Sequence, residues 1–126
     1  MKSLISALLI AAVIITGGLF YTRKLDELSE QLGEKCTDIL SGVTDGDFNE
    51  AKKRAGELRE FMDSKRVLLE SCIDHSELDK IEINLEQMTV YIAEEKRADA
   101  LAYGKALSNL FLHLPKNYQV KTENIL

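Results

Sequence analysis

Tryptophan is absent from this chain of 126 residues, proline occurs once, and cysteine and histidine occur twice each. Each scarcity excludes something. Two cysteines cannot build the multi-bridge framework of a small secreted domain. With the single proline at position 115, no ring interrupts the long stretch before it, so helices there meet no obligatory break. No glycine-rich phosphate loop and no diagnostic metal-ligand spacing follows residue 24. No alternating run of β-branched residues bounded by turns marks a sheet. Basic residues are also outnumbered. Residues 22 to 126 hold 15 of the 16 basic residues and all 21 acidic ones, a net charge of −6. Such a surface repels nucleic-acid phosphates and gains nothing from an anionic lipid leaflet. Neither nucleic acid nor a small-molecule substrate is expected as a partner, and no cofactor is expected.

What the chain does have is an apolar beginning. Leu4 to Tyr21 are eighteen consecutive uncharged residues between Lys2 and the pair Arg23, Lys24. As a helix this run measures about 27 Å, close to the ~30 Å hydrocarbon core of a bilayer. A cleaved signal peptide would end in small residues, and Thr16-Gly17-Gly18 resembles that pattern only poorly. Leu19-Phe20-Tyr21 instead carries the apolar run past the glycines to the basic pair, which suits a retained anchor with aromatic residues at the interface. The first cysteine after the run is Cys36, so lipoprotein processing lacks its residue. The expected organisation is an anchor over residues 1–24 and one domain over 25–126, about the size of a single small core. Lys2 and the amino terminus nearly balance Arg23 and Lys24, so flanking charge does not fix orientation. The domain is expected outside the cytoplasmic leaflet of the cell membrane, on a single-pass tether.

One periodicity runs through the domain. Leu25, Leu28, Leu32, Cys36, Ile39 and Val43 predict one face of a helix continuous with the anchor, broken by Thr44-Asp45-Gly46. Asp47-Phe48-Asn49-Glu50 reads as a capping box opening a second helix, whose face is Phe48, Ala51, Ala55, Leu58, Met62, Leu69 and Cys72. Lys65 interrupts that stripe. A second box, Asp74-His75-Ser76-Glu77, opens a third helix with inward Leu78, Ile81, Leu85, Met88 and Ile92. Glu94-Glu95-Lys96-Arg97 marks a turn, with Asp99 a cap slightly inside the next helix. There Ala98, Leu101, Ala102, Ala106, Leu110 and Leu114 are expected to face inward until Pro115.

The fold class is therefore all-α: a transmembrane helix followed by an antiparallel four-helix bundle or two stacked helical hairpins. Ala51, Leu58 and Phe61 recur 49 positions on as Ala100, Leu107 and Leu110, a faint repeat of hairpin size. The topology returns the turn at Ser71 to Ser76 and the end near His113 to the anchor-proximal pole. Cys36 and Cys72 then lie about 27 Å apart along the bundle, too far for a disulfide, and both sit on apolar stripes as buried thiols.

The same pole gathers Cys72, Asp74, His75 and Glu77, with His113 opposite. These residue types are metal ligands, but the spacing is not that of a metal motif, and Asp74 and Glu77 are accounted for as caps. The expectation is no metal site, with Cys72, Asp74, His75 and His113 the candidates if there is one. Ser71, Asp74 and His75 hold the types of a nucleophilic triad without a buried orienting acid or an oxyanion site, so no enzyme is expected. The carboxylates Asp26, Glu27, Glu30, Glu34, Glu57, Glu60, Glu82 and Glu86 read as solvated helix faces. In the tail Lys116 to Leu126, Tyr118, Val120 and Ile125 either fold back on the bundle or dock on a partner.

Asp45-Gly46-Asp47-Phe48-Asn49-Glu50-Ala51-Lys52, the stretch Asp74-His75-Ser76-Glu77-Leu78-Asp79-Lys80-Ile81-Glu82-Ile83 and the ending Glu123-Asn124-Ile125-Leu126, behind one apolar segment, resemble a family of small membrane-anchored bacterial proteins, domain of unknown function 4363. The resemblance spans nearly the whole chain. It implies a tethered helical domain and no assigned reaction; where such a family usually has a large aromatic on the second helix, this chain offers Phe61 and has no tryptophan, a departure from the family's pattern. The function expected is an interaction or scaffold module for another membrane or envelope protein. The alternative is a metal-binding sensor or small enzyme built on the anchor-proximal cluster.

Overall fold

The computed structural model describes residues 1–114, apart from the side chains of Tyr21 and Thr22. Regular structure among them is entirely helical: α1 spans Lys2–Thr44, α2 Phe48–Ser64, α3 Arg66–Cys72, α4 His75–Ala93 and α5 Arg97–Leu112. α1 runs without interruption from the apolar segment into the domain, as its stripe predicted. It packs on α2 and α5, and α4 packs on the same two helices, so α1 and α4 stand at opposite corners of a four-helix bundle. The expectations for Pro115 and for the tail Lys116 to Leu126 lie outside the described residues.

Three of the four inward faces fall where periodicity puts them. Leu25, Leu28, Leu32, Cys36, Ile39 and Val43 are buried on α1, and Leu78, Ile81, Leu85, Met88 and Ile92 on α4. α2 and α3 bury Ala51, Ala55, Leu58, Met62, Leu69 and Cys72, with Phe48 half-buried. The expected single second helix is broken at Lys65. A helix unbroken through Ser64 would turn the ammonium into the core, where an unpaired charge is costly. Instead the Ser64 hydroxyl donates to the Phe61 carbonyl at 2.6 Å, and the Lys65 amide donates to the Phe61 and Met62 carbonyls. Lys65 stays exposed, its ammonium 5.9 Å from the Phe61 ring centre, while Lys35 lies 4.8 Å from the same ring. α3 then re-enters with Leu69 and Cys72 inward. Arg66 staples the break through Asp63 at 2.9 Å and Glu82 at 3.1 Å, and Arg59 also pairs with Glu82.

The fourth face is a correction except at Leu114, which is buried as expected. α5 buries Ala100, Gly104, Leu107, Phe111 and the following Leu114, whereas Ala98 and Ala102 are exposed and Leu101, Ala106 and Leu110 half-buried. The inward face is thus turned well around the helix from the expected one, with Leu114 common to both. Gly104 is the cause. It has no apolar side chain to register in a hydrophobic pattern, yet α5 lies against α1 and α4 there. A Cβ at Gly104 would come within 2.3 Å of Leu40 Cδ2 and 3.1 Å of Met88 Sδ. Through the same gap the Cys36 thiol donates to the Gly104 carbonyl at 3.3 Å.

The faint repeat is a property of the fold. Leu32, Cys36, Ile39 and Val43 superpose in sequence, 49 positions on, with Ile81, Leu85, Met88 and Ile92, and all eight are buried. Ala51, Ala55, Leu58 and Met62 correspond likewise to Ala100, Gly104, Leu107 and Phe111. The turns match as well. Gly46 and Glu95 both adopt positive φ, at 75° and 58°. Behind each, the next amide reaches back to close a helix end, Asp47 to the Gly42 carbonyl and Lys96 to the Tyr91 carbonyl, both at 2.9 Å. The bundle is two equivalent hairpins, α1–α2 and α4–α5, joined by α3.

The capping boxes form only in part. Asp47 accepts from the Glu50 amide at 3.2 Å. The return bond does not form, because the Asp47 amide already serves Gly42 and the Glu50 carboxylate pairs with Arg54 at 3.2 Å. Asp74 occupies the cap position of α4, its carbonyl accepting from the Leu78 amide at 3.0 Å, and Glu77 meets Lys80 at 3.3 Å. α5 begins one residue before Ala98 with Lys96 as its cap residue, leaving Asp99 in the first turn, where a carboxylate favours the helix dipole.

Candidate functional site

The most developed surface feature lies along the outer side of the α1–α5 seam. Four α1 carboxylates at one-turn spacing, Asp26, Glu30, Glu34 and Asp38, line a groove of about 670 Å³. Its floor and far wall are Ser29, Gly33, Thr37, Ser108 and Leu112. Every fourth residue of a helix falls on one face, so these carboxylates form a ladder. Like charges at that spacing repel, and among the described residues no ion pair joins their carboxylates; the Arg54 guanidinium reaches only the upper end, donating to the Asp38 carbonyl at 2.6 Å. Gly33 and Ser108 leave the groove open because neither has a side chain long enough to cross it. Buried Ser29 anchors its lower end by donating its hydroxyl to the Phe111 carbonyl near the end of α5.

This groove begins beside the apolar segment. The Ser29–Phe111 bond sets the end of α5 against the first turns of the domain, and Lys65 and Leu68 share a cleft with Lys24 and Leu28. The expected anchor-proximal pole is therefore formed by α3 and the end of α5.

The candidate ligands at that pole do not form one site. Cys72 is buried at the end of α3, and burial raises its thiol above the ordinary range. Asp74 and His75 are exposed at the start of α4. His113 is exposed after α5, its Nδ1 2.7 Å from the Asn109 carbonyl, a bond that requires the proton on Nδ1. Among the described residues, no group of three or more histidine, cysteine, aspartate or glutamate side chains is placed to hold a metal ion. Cys36 is fully buried, free and hydrogen-bonded to Gly104, and burial pushes its thiol up to about 12. A thiol so rarely ionised is a poor nucleophile.

Comparison with known proteins places this architecture. The family model for a domain of unknown function, DUF4363, matches residues 19–125. The chain belongs to the DUF4363 family. The match begins at Leu19, so it covers the bundle and leaves most of the apolar segment outside. No curated protein and no solved structure matches the chain. The family carries no assigned activity, and the site must be argued from its own geometry. In the sequence, Asp26, Glu30 and Glu34 read as ordinary solvated surface. The signal that distinguishes them is their four-residue spacing, continued by Asp38, beside the small residues Ser29 and Gly33 on the same helix.

Proposed function

We propose that this chain is a single-pass, membrane-tethered scaffold. Residues 4–21 lie in the lipid bilayer, and the bundle stands outside the cytoplasmic leaflet, where it docks another membrane or envelope protein. The observation that carries this reading is the continuity of α1. One 43-residue helix has an apolar first half, with no side chain from Lys2 to Phe20 buried, and a second half that is the spine of the bundle. It is the one helix among the described residues long and apolar enough to cross a membrane. Each large side chain from Leu4 to Phe20 gains about 1.5–3 kcal/mol on leaving water, and the bundle offers no surface to cover them. The hydroxyls of Ser6 and Thr16 donate to the Lys2 and Ala12 carbonyls, which lowers their cost in hydrocarbon. At the end of the run, the Lys24 ammonium lies 4.9 Å from the Phe20 ring, an aromatic and cationic pair suited to the headgroup layer.

A rigid tether without a linker holds the bundle at a fixed height and orientation, which serves docking better than catalysis on diffusing substrates. The reading includes no reaction and no cofactor. Orientation is tested with a membrane-impermeant maleimide on intact cells expressing Lys53→Cys. Position 53 is exposed on α2, whereas Cys36 and Cys72 are buried and stay silent. Labelling before lysis is the expected result; labelling only after lysis places the bundle in the cytoplasm.

A further inference from the structure

We infer that the acidic groove between α1 and α5 is a docking site for a lysine- or arginine-bearing amphipathic helix of a second protein. The inference rests on the reading of the bundle as an interaction module and names the surface and the partner chemistry.

The chain contains its own template for the occupant. Because the two hairpins repeat at 49 positions, the α1–α5 seam has an equivalent in the α4–α2 seam. Gly33 corresponds to Glu82, and Ser108 corresponds to Arg59. On the α4–α2 seam these two positions are joined by an ion pair, and Arg66 adds a second cation to Glu82 at 3.1 Å. That seam is closed by its own charges. On the α1–α5 seam the same two positions carry no charge and almost no side chain, the groove stands open, and its rim is four carboxylates. The closed seam is filled by a cation set against a carboxylate between the helices; the open seam lacks both members of that pair, and its carboxylates stand along the rim with no cation laid between the helices.

Dimensions and charge favour a helix. From Asp26 to Asp38 the ladder is about 18 Å long, three helical turns, so a partner with cations at four-residue spacing meets one carboxylate per turn. The apolar stems of its lysines or arginines would cover Leu112, an exposed large apolar side chain at the groove's lower end. The chain's own segment 115–126 is a weaker match, since it carries only Lys116 and Lys121 against Glu123. Rim charges of this kind speed encounter and select partners, and their effect falls with salt.

The test uses the full chain in nanodiscs of zwitterionic phosphatidylcholine, which removes lipid charge as a competitor. The probe is a synthetic amphipathic helix with lysine and arginine on one face and leucine on the other. Its control has glutamate in place of every cation. Expected are binding of the cationic peptide only, weakening with added salt, and photocrosslinking from p-benzoylphenylalanine at position 37 in the groove. Ser108→Arg supplies the missing cation from within and should weaken binding about tenfold or more. Glu30→Gln with Glu34→Gln, two surface isosteres that leave the core untouched, should weaken it similarly. Equal binding of both peptides, or binding indifferent to both variants, overturns the inference. So do crosslinks from position 37 that reach only residues 115–126 or a second copy. In native membranes the crosslinker is placed at position 37 and, separately, at exposed position 83 on the other seam. A second protein captured at 37 through a lysine- or arginine-bearing segment supports the groove. Capture at 83 alone overturns the groove and leaves the scaffold reading standing; capture at neither overturns both.

Discussion

Gly104→Val is expected to destabilise the bundle by about 3 kcal/mol, the upper end of what overpacking a core costs. The argument is geometric. Gly104 is where α5 comes closest to α1 and α4, and its added Cβ would already crowd Leu40 and Met88. Alanine leaves the Leu40 tip room to rotate away and gains helix propensity, so its effect is smaller. Valine adds two methyl groups that cannot all avoid the Met88 sulfur and the Cys36 thiol. The equivalent position in the first hairpin, Ala55, accepts a methyl group because its surroundings are built for one. Denaturation in detergent micelles measures the loss, and thiol labelling locates it. Cys36, fully buried with its thiol held near 12, should be inert in the parent chain and labelled faster in the variant. A variant as stable as the parent, with Cys36 still protected, would mean that α5 does not pack through this glycine.

Ile10→Arg combined with Ile14→Arg should release the protein from membranes. Both residues lie at the middle of the apolar run and are wholly outside the bundle core. Each central arginine costs about 2.5–3.5 kcal/mol on insertion, so the pair offsets much of what the remaining apolar side chains gain. The bundle is not touched by either change, and the account predicts that it stays helical and folded. Alkaline carbonate extraction separates the outcomes: the parent remains with the pellet, and the double variant moves to the supernatant or fails to insert. Parent protein extracted into the supernatant would show that the apolar helix is not held in lipid.

How much of this was legible in the sequence follows from what each stretch depends on. α1 and α4 were readable residue by residue because every inward position is a large apolar side chain at helical spacing, so period and burial agree. The face of the fourth helix is not legible, Leu114 apart, because its contact is made by the absence of a side chain. Gly104 contributes nothing to a hydrophobic pattern, while Ala98 and Ala102 contribute without being buried. The break at Lys65 was visible as an interruption but not as a break. Whether a lysine snorkels from a straight helix or ends it depends on Phe61 and Glu82, which are brought near only by folding. The capping boxes were half legible for a similar reason. Asp47 has the right neighbour in Glu50, but its amide is claimed by Gly42 across the turn. The groove was illegible as a site because it is composed of solvated carboxylates and small residues, each ordinary alone. Its openness appears only when Gly33 and Ser108 are set against Glu82 and Arg59 in the matching seam.

The most direct test of the account asks whether α1 is one rod from lipid into the bundle. Spin labels at exposed positions 11 and 31, in a chain with Cys36 and Cys72 replaced by serine and reconstituted in nanodiscs, report the span across the membrane boundary. A continuous helix predicts a single narrow distribution near 30 Å between the two backbones. A broad distribution, or one centred well below that length, would show a hinge between anchor and bundle and contradict the rigid tether on which the proposed docking role depends.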